Sequence, residues 1–162
     1  MVIVGALAIS FGIRAYLVQT FSIPSESMVP TLQVGDRILV DKRADGLGDL
    51  DRGDIIVFER PEALQSDLDH LVKRLIGLPG ETVEGRDGGV LIDGVPLDEP
   101  WLPPDVVTEP FDPVEVGEGQ VFMMGDNRSR SQDSRFFGTV DAELIVGRVF
   151  FRIWPLDRVG GV

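Results

Sequence analysis

"HLVKRLIG", residues 70–77, is an eight-residue run that is apolar except for His70 and a charged pair, Lys73-Arg74, at its centre. It stops at "LPGE" (78–81), a turn signal. A short apolar run closed by Pro and Gly reads as a strand rather than a helix. Consecutive strand residues project to opposite faces, so one member of the pair points toward the packed side. Its neighbours carry the same stamp. "RILVD" (37–41), "DIIVFE" (54–59), "QVFMMGD" (120–126) and "LIVGRVFFRIW" (144–154) are short apolar runs, with turn signals such as "VGD" and "DRGD" between them. "VLIDGVPL" (90–97) is a hairpin whose Asp93-Gly94 suits the positive-φ positions of a type I′ turn. "EPWLPPDVVTEPFDPVEVGEG" (99–119) is acidic and Pro-rich and reads as a loop or an irregular lobe, and "PEALQSDLDH" (61–70) has room for a short helix. The expected class is mainly β, with an antiparallel catalytic core sheet and a smaller β/loop lobe inserted around residues 84–119.

Composition removes several functional classes. The chain has 162 residues, 43% hydrophobic and 26% charged, which is ordinary globular usage. Its formal net charge is −12, opposite to the basic balance of nucleic-acid binders. It has no cysteine and one histidine, His70, so disulfides, thiol catalysis and a Cys/His zinc site are excluded. No cofactor or metal is expected. The start is different in character: "VIVGALAISFGI" (2–13) is apolar apart from Ser10, Arg14 interrupts it, and "AYLVQTF" follows. About 20 apolar residues span a bilayer. We read residues 1–20 as the end of a membrane helix, with Arg14 reaching the interface and Met1 an artificial or internal start.

Two polar stretches carry candidate chemistry. In "SIPSESMVPTL" (22–32), Ser25 and Ser27 are two residues apart, so in extended backbone they share a face while Glu26 points away. Pro24 and Pro30 stiffen the flanks. Spacing alone favours a turn in which the serines bond the backbone. A serine nucleophile needs a base. His70 is a weak candidate, a partly exposed strand histidine by its setting. Lys73 is better, because a lysine desolvated in an apolar run loses its proton near neutral pH and an arginine does not. The plainer alternative is a lysine stem over the core with its ammonium in water. "GDNRSRSQDSRFFG" (125–138) lacks the Gly and Glu of a calcium loop, having Ser131 and Phe137 in those places. Ser129, Ser131, Asp133 and Arg135 share one parity and form either a hydrogen-bonded strip or a salt-bridged loop. "GLPGETVEG" has no Gly-Lys-Ser/Thr and is not a phosphate loop.

In chain order, "FSIPSESMVPTL", "GDRILVDK" (35–42), "VKRLIGLPGETV" (72–83) and "GDNRSRSQDSRFFG" resemble the bacterial type I signal peptidases. The resemblance implies a serine endopeptidase that removes signal peptides from exported preproteins after a small residue. It implies Ser27 as nucleophile and Lys73 as general base. Ser25 would contribute to the oxyanion hole, Ser131 would orient the lysine, and Asp133 and Arg135 would hold the site together. Phe21, Ile23, Pro24 and Val72 match pocket positions by their place in the motifs. The implied partners are preprotein signal peptides and membrane lipid, not nucleic acid. The implied location is the bacterial cell membrane, single-pass, with residues 21–162 as an extracytoplasmic catalytic domain. Two departures stand out: Glu26 lies between the serines where relatives often have a small residue, and "VGEG" (116–119) replaces a common Val-Pro-x-Gly. A self-cleaving repressor-type Ser-Lys protease shares the dyad logic, but the chain has no Ala-Gly dipeptide to cut and no room for a DNA-binding domain. A membrane-tethered β-domain that only binds partners is the non-enzymatic rival.

Overall fold

A computed structural model describes residues 17–44 and 46–162. The chain enters as β1 (Val18–Ser22) and, after a looped turn, returns as β2 (Arg37–Asp41). β3 (Ile55–Glu59) and β4 (His70–Gly77) form the next antiparallel pair, with Ile56 opposite Lys73 and Ile55 opposite Arg74. The chain then leaves for four strands: β5 (Thr82–Arg86), β6 (Gly89–Ile92), β7 (Val95–Pro96) and β8 (Phe111–Glu115). It comes back as β9 (Gln120–Met124), β10 (Val140–Asp141), the long β11 (Ile145–Trp154) and β12 (Gly160–Gly161). Two sheets result. The larger has the order β1-β2-β11-β3-β4-β9-β10, with β12 added to β11. The smaller, β7-β6-β5-β8, is built wholly from residues 82–115.

Both faces of the main sheet are covered, which explains why its strands are apolar runs rather than strict alternations. On β3, Ile56 and Phe58 join a core with Leu71, Leu75 and Met123, while Ile55 and Val57 join another with Ile23, Met28, Leu32, Ile38 and Val40. A third cluster, Ile76, Val83, Val90, Val116, Phe122 and Met124, glues the small sheet to β4 and β9. Phe111 stacks on Phe122 across that seam at 5.8 Å. Gly77 lies in it because a Cβ there would sit 2.5 Å from Val83 Cγ2 and 2.8 Å from Phe122 Cβ.

Several expectations need correction. Residues 61–69 are irregular turns rather than a short helix, held by the guanidinium of Arg60 donating to the Leu64 carbonyl at 2.7 Å. The stretch 99–119 is not loop throughout, since Phe111–Glu115 forms the edge strand β8. The expected membrane helix with Arg14 lies outside the described residues, and by Val18 the chain is already in the sheet. Among the described residues no helix is long and apolar enough to cross a membrane.

Candidate active site

The loop between β1 and β2 is a compact, tethered turn. Ile23 N–H donates to the Asp36 carbonyl and Gly35 N–H to the Ile23 carbonyl, each at 2.9 Å. Met28 and Leu32 plug it into the core. Inside it, Ser25 and Ser27 are in bends and turns rather than extended backbone, so strand alternation is not what joins them. Their hydroxyl oxygens nonetheless lie 3.4 Å apart.

Lys73 reaches this turn from β4. Its Nζ lies 2.7 Å from Ser27 Oγ and donates to it when protonated. Lys73 is only 3% exposed and Ser27 7%. Burial pushes the Lys73 ammonium down from 10.5 to about 8; Asp133 and Asp126 oppose the shift and Arg135 assists it. Removing an ammonium from water disfavours its charged form, and no carboxylate touches Nζ to compensate. The result is an amine that is half neutral near pH 8, in contact with a hydroxyl.

Arg74 is buried as well, at 6% exposure, so both members of the pair are enclosed, not one. Its guanidinium grips Asp126 through two bonds of 2.8 and 2.6 Å, donates to the Gly53 carbonyl at 2.6 Å, and lies 4.9 Å from the centre of the Trp101 ring. Asp126 also accepts from the Thr31 hydroxyl at 2.5 Å.

The polar stretch 125–138 forms the third wall. Asp133 and Arg135 make a bidentate pair at 2.8 and 2.9 Å. Asp133 also accepts from Gly125 N–H at 2.9 Å, and Arg135 donates to the Arg128 carbonyl at 2.8 Å. Ser131 is buried in the same wall, and its Oγ has no hydrogen-bond partner among the described residues. A bond from Ser131 to Lys73 is therefore absent from this geometry. Ser129 does not join: a 3-10 turn over Arg128–Arg130 breaks the parity, and Ser129 is exposed against Asn127. Gly125 lies between the walls. A Cβ on it would be 2.2 Å from Ser131 Oγ and 2.5 Å from the Ser27 carbonyl oxygen.

A cleft of about 300 Å³ opens beside the two serines. Phe21, Ile23, Pro24 and Val72 line it, as do Ser25, Ser27 and Lys73. Residues 67–71 complete it, and His70 meets Phe21 edge-on at 5.3 Å. Sequence reasoning missed that far wall, and it missed Asp126, Arg128 and Glu99. Arg128 is buried and holds Glu99 through both carboxylate oxygens and Thr108 at 2.5 Å. The signal lay in "GDNR" and in an acidic residue beside a Trp, but sequence alone does not say which carboxylate a buried arginine takes.

Residues 1–154 match the family described as "Signal peptidase, peptidase S26". The chain is 43% identical to the signal peptidase I of Leptolyngbya laminosa, across 96% of this chain and 78% of the relative. It is 41% identical to the probable signal peptidase I-2 of Synechocystis, across 97% and 72%. Among solved structures, a signal peptidase I from Enterococcus faecalis is similar with a TM-score of 0.52 and 39% identity, covering 61% of this chain and 95% of that one.

Proposed function

Since the chain belongs to the signal peptidase family of serine endopeptidases, we propose that it removes signal peptides from preproteins with a Ser27–Lys73 dyad. The observation that carries this reading is the 2.7 Å approach of a buried lysine, its pKa lowered to about 8, to a buried serine hydroxyl that lines a cleft. Neutral Lys73 takes the proton from Ser27, and Oγ attacks the scissile carbonyl. The Ser27 N–H and the Ser25 hydroxyl receive the oxyanion, each such donor contributing about 2.7–4 kcal/mol in the transition state. Protonated Lys73 then gives its proton to the leaving amine, the bond to the mature protein breaks, and water activated by the same lysine releases the acyl group. Phe21, Ile23, Pro24 and Val72 enclose the small residue before the cut. Asp133 and Arg135 fix the wall behind the lysine, and Ser131, buried and unbonded, turns its hydroxyl to the amine as catalysis proceeds.

The same proposal gives the segment before β1 to a single membrane anchor, three residues short of the 1–20 read from the sequence because Val18–Thr20 already pair with β2, and the rest to an extracytoplasmic catalytic domain with an inserted lobe. Substrates are then met at the lipid surface. Incubation of the detergent-solubilised protein with a preprotein, with the product mass measured, tests the core of it. Cleavage after a small residue that disappears in Ser27→Ala is expected. Intact preprotein with the wild-type protein, or undiminished cleavage by Ser27→Ala, would refute it.

A further inference from the structure

On the reading above, the cleft lined by Ser25, Ser27 and Lys73 takes the acyl side of the substrate. The residues after the cut must leave Ser27 on another side. A second hollow, of about 350 Å³, borders the nucleophile loop without including Ser25, Ser27 or Lys73. Val29, two residues beyond Ser27, forms one part of it; Asn127 and Ser129 form another; Asp105, Val106 and Val107 of the small-sheet lobe form the opposite wall. We propose that this hollow binds the first residues of the mature protein and that Asp105 selects their charge, a proposal that rests on the peptidase reading above.

Three observations converge on it. First, the hollow shares its frame with the nucleophile. Asn127 N–H donates to the Ser27 carbonyl, and the Asn127 side-chain amide donates to the Glu26 carbonyl, both at 3.0 Å. The Asn127 backbone and side chain thus border both the hollow and the Glu26–Ser27 backbone.

Second, the opposite wall is pre-built. Val106 N–H donates to the Pro103 carbonyl at 3.1 Å and Thr108 N–H to the Gly88 carbonyl at 2.9 Å. The Thr108 hydroxyl is held by Arg128 at 2.5 Å. Third, the charges are uneven. Of the charged residues that also line it, Asp126 is neutralised by Arg74 and Arg128 by Glu99. Asp105 is exposed and has no ion pair among the described residues. The hollow therefore presents one uncompensated carboxylate and the exposed Val107 to the leaving segment. It favours a basic or apolar residue there and disfavours an acidic one.

Two preproteins identical except for Lys or Glu at the second position after the cut test this, compared by kcat/KM in detergent at low salt. The wild-type protein should prefer the Lys substrate by about two- to fivefold, the range for an exposed charge pair, with the ratio shrinking as salt is added. Asp105→Lys should invert the preference. Glu118→Lys makes the same charge change in an exposed turn at the other end of β9, and it should leave the ratio alone. A wild-type ratio retained by Asp105→Lys, or an equal shift in Glu118→Lys, overturns the inference while leaving the peptidase reading intact. Failure of the wild-type protein to cut either substrate sinks that reading and the inference together.

Discussion

As the proposed base, Lys73 is where chemistry and stability oppose each other. A base must be neutral to act, so activity should fall about tenfold per pH unit below a midpoint near the lysine pKa of about 8. A pH–rate profile checks this, and Lys73→Arg should be inactive across it because a guanidinium keeps its proton. The same burial predicts a second pH effect. Below about 8 the amine is charged in both folded and unfolded chains, and the full cost of burying it is present. Between about 8 and 10.5 the unfolded chain binds a proton that the folded chain does not, so stability from this group rises with pH. Lys73→Met should therefore stabilise the fold at pH 7 by up to roughly 3 kcal/mol, with the gap closing toward pH 10.5, as read by denaturant unfolding. The lysine was legible in the sequence because a charge inside an apolar strand demands an explanation. Its neighbour was only half legible: the 70–77 pattern shows that Arg74 is unusual, but Asp126, its partner, is one of many polar groups in a long polar stretch.

At the scale of elements, legibility followed the hydrophobic pattern. β2, β3, β4, β9 and β11 are apolar runs bounded by turns, and the chain folds them as read. The Asp93-Gly94 turn has φ of 51° and 78°, as a type I′ hairpin requires. The same dipeptide at Asp87-Gly88, with φ of 56° and 83°, makes the β5–β6 hairpin. β8 was hidden by Pro113, which normally argues against a strand. It is tolerated because β8 pairs only with β5 and sits at the sheet edge. The loop after β9 yields a sharper prediction. Gly125 has ordinary backbone conformation, yet no side chain fits between Ser131 and the Ser27 carbonyl. Gly125→Ala should separate the nucleophile turn from its wall and lower kcat by at least about a hundredfold, the scale on which small misplacements act. It should leave far-ultraviolet circular dichroism unchanged. Near wild-type turnover in that variant would mean that the two walls need not touch.

For the molecule as a whole, Arg74 and Asp126 tie four regions together. Thr31 brings in the nucleophile turn, Gly53 the entry to β3, Trp101 the lobe, and Asp126 the loop after β9. Removing one partner strands a charge at almost complete burial. Asp126→Ala should cost about 3–5 kcal/mol in chemical denaturation, well beyond the effect of breaking the exposed Glu26–Arg130 pair. The order of the main sheet carries a different consequence. β11 lies between β2 and β3, hydrogen-bonded to both. Ser27 hangs from the β1–β2 side of that seam and Lys73 from the β3–β4 side. Residues 145–154 follow both halves in the chain, so the last long strand supplies the backbone hydrogen bonds through which one continuous sheet carries Ser27 beside Lys73.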